Sequence, residues 1–290
     1  MTLIELVTQA AAQLEQAGVA FGHGTTNALD EAAWLVLWQL GLPLDDLDGV
    51  AEMAVSPQQR RSAHELVAER IRSRKPAAYL TREAWLQGVP FYVDERSIVP
   101  RSFIAELLVD GSIDPWLGEP PRRVLDLCTG NASLAVLAAM TWPDAAVDAS
   151  DVSPEALAVA RINVDKHGLQ DRIRLLHSDG LASVQGPYDL ILCNPPYVNA
   201  ASMAALPAEF RAEPPQALAG GPDGMDFIRP LLRGAAAHMT PQAVLVLEIG
   251  NERAHFEIAF PRLEVVWLET SAGEEQVLLA RRENLAPLRA

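Results

Sequence analysis

The residues best suited to chemistry are Asn194-Pro195-Pro196-Tyr197. They follow a short apolar run, Tyr188-Asp189-Leu190-Ile191-Leu192-Cys193, which reads as a buried strand. Two consecutive prolines end a ladder and fix an extended backbone. The Asn194 side chain and the carbonyls around it are therefore set before a ligand arrives. An Asn amide oxygen and a proline carbonyl are both hydrogen-bond acceptors. Side by side they grip an NH2 group through both hydrogens. That arrangement suits a planar, poorly nucleophilic nitrogen, as in an amide, an adenine or a cytosine. Tyr197 packs its ring against such a plane or plugs the end of the sheet, and the two roles are compatible.

The stretch upstream reads as a nucleotide-type binding region. Arg123-Val124-Leu125-Asp126-Leu127-Cys128 is a strand, Thr129-Gly130-Asn131-Ala132 a tight turn, and Ser133 to Met140 an Ala-rich helix. A strand, turn and helix in this order set backbone N–H groups and a helix N-terminus against a ligand. Asp151 follows the apolar run Ala145 to Ala149, and an acid at the end of a second strand is the usual partner of ribose hydroxyls. Ser153-Pro154 then opens a further helix. Asp179 follows the strand-like Ile173 to His177 and is placed to accept from an adenine amino group. Asp126 either orients the turn or holds the ligand's amine. The turn has no Gly-Lys-Ser/Thr and a single glycine, so it is neither a phosphate loop nor a dinucleotide fingerprint. Acids at three strand ends favour a cationic, ribose-bearing ligand without phosphates, and S-adenosylmethionine is such a ligand.

The ordered set Asp126…Gly130, Asp151, Asp179 and Asn194-Pro195-Pro196-Tyr197 resembles the class I methyltransferases that act on amide or exocyclic amino nitrogen. Outside that set, Arg74 to Leu80, Phe91 to Arg96, Val99-Pro100-Arg101-Ser102 and Glu213 to Gly224 are similar to the protein-glutamine N5-methyltransferases. The similarity runs from about Phe21 to Leu279. Phe21 to Thr25, Asp30-Glu31-Ala32 and Pro100 to Glu106 look like the branch that methylates ribosomal protein uL3. The release-factor branch usually reads Pro-Arg-Pro-Glu/Asp-Thr-Glu at the last of these places. The resemblance implies Asn194, Pro195 and Tyr197 as catalytic residues. It implies a cofactor site of Asp126, Cys128, Thr129, Gly130, Asn131, Ala132, Asp151, Asp179 and Asn194, holding S-adenosyl-L-methionine. The family's turn usually has a second glycine where Ala132 stands. Ala132 adds a methyl where the backbone approaches the cofactor's methionine part, and Asn131 takes over part of the left-handed geometry.

Composition bounds the partners. The 290 residues carry 38 acids against 23 Lys and Arg, a net charge of −15. A nucleic-acid enzyme normally shows a basic face. An acidic surface favours encounter with a basic protein such as uL3, or simply keeps the chain soluble. No apolar run is long enough to span a bilayer, and the start lacks the basic region of a secretory signal, so the expected home is cytoplasmic. Cys128 and Cys193 end core strands and read as small apolar residues, with no disulfide or metal pattern.

The elements that must position these residues fall into three stretches. Residues 1–82 read as a helical substrate-recognition domain, with helices closed by Gly18, capped by Asn27 and opened by Ser56-Pro57-Gln58-Gln59. Residues 83–111 read as a hairpin around Gly88 and a connecting helix capped by Ser102. Residues 112–290 read as an α/β, Rossmann-like class I methyltransferase domain. Its seven-stranded, mostly parallel sheet has strands near 123–128, 145–150, 172–177, 188–193, 242–249, 263–268 and 275–281, with an antiparallel last hairpin. Glu248 to Asn251 reads as the turn that starts a helix, and Gly220 to Gly224 as a lid or a turn. His23 reads as a fold or docking residue. The readings in play are thus a uL3 glutamine methyltransferase, a release-factor methyltransferase, an adenine-N6 nucleic-acid methyltransferase and a non-catalytic ribosome assembly factor.

Overall fold

The computed structural model describes residues 1–289. The N-terminal unit rests on three helices, Leu3–Gln16, Ala28–Leu40 and Pro57–Ser73. Asn27 caps the second by accepting from the Asp30 N–H at 2.9 Å. Ser56 and Gln59 form a reciprocal capping box ahead of the third. The helices share a core built on Leu3, Leu6, Leu14, Leu35 and Val67. Trp34 packs both against that core and against the small cluster of Tyr79, Val93 and Val99 that leads to the next unit.

The hairpin consists of β1 (Ala84–Leu86) and β2 (Val89–Phe91), antiparallel. Gln87 and Gly88 both have positive φ, the backbone that matches the twist of a two-residue hairpin loop. Ser102 stands one residue before the Phe103 cap of the helix Ile104–Val109; its Oγ accepts from the Ile104 N–H at 3.2 Å.

The third unit is a seven-stranded sheet of β3 (Arg123–Leu127), β4 (Ala146–Asp151), β5 (Ile173–His177), β6 (Tyr188–Cys193), β7 (Met239–Glu248), β8 (Val266–Thr270) and β9 (Gly273–Arg281). The order is β5-β4-β3-β6-β7-β9-β8, with β9 antiparallel to both neighbours and the rest parallel. Alternate residues of the central strands enter opposite cores. Val124, Leu190 and Val246 face one side, and Leu125, Ile191 and Leu247 the other. Covering helices on both faces is what makes a parallel sheet stable. The chain reverses its direction of growth between β3 and β6, so their C-terminal ends flank a crevice. The turn after β3 and Asn194 after β6 stand there.

Strand boundaries in the last part of the sheet differ from the sequence expectation, with β8 at Val266–Thr270 and not near 263–268. β7 begins at Met239 and not near 242, because the early residues around Pro241 sit in a register break between Tyr188↔Met239 and Leu190↔Val244. A proline within a central strand is tolerated at such an irregularity. The preceding helix is correspondingly short, Ile228–Ala235.

Candidate active site

The cleft at the switch point opens to solvent and is walled by residues from the turn after β3, the ends of β4 and β5, and the stretch after β6. Its floor is the turn after β3. Cys128, Gly130 and Ala132 all have positive φ (62°, 57° and 65°), and this alternation folds the chain back on itself before the helix Ser133–Thr141. Asp151 secures the turn from β4: Oδ2 accepts from the Gly130 N–H at 2.9 Å and Oδ1 from the Ser153 N–H at 2.8 Å. Burial pushes its carboxyl above the usual range, against the pull of those N–H groups.

Asp126 lies beneath the turn, 1 % exposed. Its Oδ2 accepts from the Thr129 hydroxyl and from the Ala135 N–H at 3.0 Å, while Oδ1 has no partner. Burial pushes this carboxyl up to about 7. Asn131 Oδ1 accepts from the Ser133 N–H at 3.2 Å, and its Nδ2 is buried without a partner. Asn163, fully buried on the helix Pro154–Lys166, donates to the Asn131 carbonyl and to the Tyr92 carbonyl, both at 2.9 Å. It also accepts from the Tyr92 N–H at 2.7 Å, and so ties the end of the hairpin to the turn.

The left-handed geometry falls to Ala132 itself and not to Asn131, contrary to expectation. Ala132 is wholly buried, and its methyl joins the hydrophobic core under the helix Ser133–Thr141 instead of meeting the cleft. Cys128 does line the cleft. Its neighbour Cys193, together with burial, pushes its thiol up, which keeps it protonated and unreactive.

Asp151 and Asp179 line the cleft, with Asp179 exposed. Asn194 and Pro196 line it from the other side. Among the described residues none hydrogen-bonds to the Asn194 amide, which leaves both of its polar atoms to the cleft. Pro195 is buried between these two wall residues. Tyr197 stands behind the wall, its hydroxyl donating to Glu248 Oε1 at 3.1 Å. The glycines that follow are shaped by this motif. A Cβ on Gly220 would come within 2.7 Å of the Tyr197 backbone, and one on Gly224 within 2.3 Å of its carbonyl oxygen. Val198 N–H donates to Leu218 and Gly220 N–H to Val198, each at 2.8 Å. The glycine loop is thus stitched to the motif as a strand-like turn.

The sequence reading misses the roles of three residues that bear on the site. Glu248 ends β7, 2 % exposed, and accepts from Tyr197, from Ser102 Oγ at 2.6 Å and from the Phe103 N–H at 2.9 Å. An acid closing an apolar strand at the ligand end of a parallel sheet was the available signal. Glu213 clamps Arg101 in a fork, at 2.6 and 2.7 Å. Asn163 offered no local signal, because its partners lie 71 and 32 residues away.

The wall chemistry fits S-adenosyl-L-methionine. Its two cations, Arg96 and Arg101, are already paired with Asp94 and Glu213, so no free cation among the lining residues waits for phosphate. Asp151 and Asp179 supply acceptors, and the orphaned Asn131 Nδ2 and Ser150 Oγ supply unspent polar atoms in the same wall.

Comparison with known proteins decides the family. Residues 113–223 match the model of the methyltransferase small domain. A protein of Bordetella pertussis is 52 % identical over 98 % of this chain and 96 % of its own length. One of Burkholderia pseudomallei is 51 % identical over 98 % and 95 %, and one of Neisseria meningitidis serogroup B 46 % identical over 98 % and 94 %. All three are named ribosomal protein uL3 glutamine methyltransferase. The chain belongs to that family. It is a methyltransferase, and its cofactor is S-adenosyl-L-methionine. Solved structures agree on the fold. A methyltransferase of Pyrococcus furiosus matches with TM-score 0.50 at 18 % identity, over 79 % of this chain and 99 % of that one. The hMettl16 catalytic domain, solved with an RNA hairpin, matches with TM-score 0.53 at 14 % identity, over 77 % and 81 %.

Proposed function

We propose that this methyltransferase acts on the side-chain nitrogen of a glutamine in ribosomal protein uL3. The near-full-length identity to three proteins of that name carries the reading. The unengaged Asn194 amide in the cleft wall supports it. When bound, S-adenosyl-L-methionine supplies a methyl on positively charged sulfur. Asp151 accepts from ribose hydroxyls, Asp179 from the adenine amino group, and the turn from Cys128 to Asn131 faces the amino-acid part.

The protein's task is alignment. An amide nitrogen is a poor nucleophile, because its lone pair is delocalised into the carbonyl. The Asn194 side-chain oxygen and the Pro195 carbonyl accept from the two N–H groups of the glutamine. This aims the nitrogen and favours the positive charge that develops on it. Positioning of two reactants contributes up to about 7–11 kcal/mol in well-aligned cases. The extra proton leaves after transfer, when the nitrogen is strongly acidic, so no strong base is required. Tyr197 acts from behind the wall by holding the motif. Residues 1–82 grip the substrate protein, and the net charge of −15 draws a basic partner towards a cytoplasmic enzyme. Among the described residues no helix is long and apolar enough to cross a membrane.

The test is to incubate the protein with methyl-labelled cofactor and either unmodified uL3 or unmodified release factor. Label on a uL3 glutamine is the expected result. Label on release factor alone moves the enzyme to the sister branch, and label on neither refutes the glutamine reading for both proteins and points to another acceptor.

A further inference from the structure

Between Glu209 and Glu213 the chain touches both the helical domain and the acceptor side of the cleft. Glu209, 2 % exposed, accepts from Arg74 Nη1 at 3.1 Å and lies 3.5 Å from Arg70 Nη1. Arg70 is fully buried and is also bound to Glu31 at 2.9 Å and to the Ala20 carbonyl at 3.1 Å. Arg74 continues to the carbonyls of Ala17 and Gly18, at the end of the first helix. Phe210 follows, its ring 4.2 Å from that of His23. A Cβ on Gly22 would reach Phe210 at 3.0 Å, which accounts for the glycine at that place.

Glu213 closes the segment. Besides the Arg101 fork it accepts from the Val99 N–H at 2.9 Å, and His23 Nε2 of the helical domain lies 3.4 Å away. Burial pushes its carboxyl up, but the Arg101 charge and these bonds outweigh burial and hold it at about 2. The next residues, Pro214, Gln216 and Ala217, form one lip of the cleft, and Pro100 and Arg101 part of the facing wall. Leu218 is then bonded to Val198, next to Tyr197. A continuous set of contacts therefore runs from the first and third helices, through two buried acids, to the lip and the Asn-Pro-Pro-Tyr motif.

We propose that Glu209 and Glu213 are positioning residues that link the seating of a protein substrate on the helical domain to the shape of the acceptor lip. This rests on the methyltransferase reading above and adds to it a route by which the correct protein, and not merely a glutamine, completes the site. Neither acid lines the cofactor floor. Coupling of this kind needs a contiguous element that both ends bias, and buried ion pairs supply discrete geometry.

Glu209→Gln in the full chain tests it. The change keeps shape and leaves Arg70 paired with Glu31. Three quantities are measured: hydrogen exchange at the amides of Ala217 to Gly220, kcat and KM for uL3, and the dissociation constant for S-adenosyl-L-methionine. The expected result is faster exchange at the lip and a loss in kcat/KM for uL3 of about fivefold or more, with cofactor affinity within about twofold. Unchanged exchange at the lip, or a loss shared equally by cofactor binding, overturns the proposal. If Glu209→Gln does not fold, Arg74→Lys, at a partly exposed position, keeps the charge but cannot bond Glu209 and the Ala17 and Gly18 carbonyls together, and the same readouts decide. The exchange measurement stands by itself: a wild-type protein that fails to methylate uL3 refutes the substrate reading, while the lip amides still judge the link.

Discussion

The Tyr197 hydroxyl donates to Glu248 Oε1 across 3.1 Å, joining the last residue of the Asn-Pro-Pro-Tyr motif to the last residue of β7. Glu248 spends its other oxygen on Ser102 and Phe103, so three segments converge on one buried carboxyl. Burial pushes that carboxyl up. The ring of Tyr197 lies against Gly250, where a Cβ would come within 2.5 Å of it. Tyr197 is thus a brace for Asn194, held by one hydrogen bond and one close backbone.

The brace separates two variants. Tyr197→Phe keeps the ring and removes one bond, at a cost of about 0.5–1.5 kcal/mol in stability. Gly250→Ala puts a methyl into the ring at a residue with φ of +53°. Overpacking there should cost about 1–3 kcal/mol and lower turnover more than Tyr197→Phe does. Denaturant unfolding and kcat on both proteins check this. If Gly250→Ala proves as stable and active as the phenylalanine variant, ring packing is not what fixes the motif.

Asn194→Ala addresses the acceptor side alone. Asn194 is assigned to the glutamine N–H, whereas the cofactor's ribose is assigned to Asp151. Loss of one preorganised polar group of this kind lowers turnover by about 10²–10³-fold. Calorimetry should find cofactor affinity near that of the wild type. Turnover at the wild-type rate would remove Asn194 from the mechanism.

Much of this architecture is local information. The Asn27 cap, the Ser56 to Gln59 box and the apolar runs of β3 to β6 each announce themselves within a few residues, and the structure places them as their chemistry requires. The cleft was legible for a similar reason. Asp151, Asp179 and Asn194 end strands, and strand ends gather at the switch point of a parallel sheet. What the sequence hid is long-range or conformational. His23, Glu209 and Glu213 meet partners more than a hundred residues away, and no local pattern marks those pairs. Glu248 reads locally as the start of a turn, because its partners come from two other segments. Ala132 takes a left-handed conformation without being glycine, so the residue type pointed to Asn131 instead. The strand expected from about residue 242 begins at Met239, and only the register break around Pro241 explains that proline's place in β7.

Ala132→Gly follows from that correction. At φ of +65° an L-residue is strained, by roughly 1–2 kcal/mol, and glycine is not. Glycine's greater freedom in the unfolded chain and the loss of a buried methyl offset part of the gain. The expected net change in stability is therefore small, within about 1 kcal/mol either way. Because the methyl lies in the core and not in the cleft, cofactor affinity should stay the same. A clear change in affinity by calorimetry would place the Ala132 methyl against the ligand after all.

Asp126 gives the last prediction, and its sign can be worked out. Burial raises its carboxyl to about 7, from an ordinary value of 3.8. A group raised in the folded state favours folding while it is protonated. Its contribution is fully present below the ordinary value and is lost as pH rises through the folded one. The cofactor-free protein should therefore lose stability between about pH 4 and 7 on account of Asp126. Asp126→Asn keeps an oxygen to accept from Thr129 and from the Ala135 N–H, and it cannot ionise. Relative to wild type, the variant should melt higher at pH 8 and at nearly the same temperature at pH 4. Thermal melts of the two cofactor-free proteins across this range provide the measurement. Parallel curves would mean that the Asp126 carboxylate is stabilised by its surroundings, as a charged partner of the turn, and that its unpaired Oδ1 carries no cost.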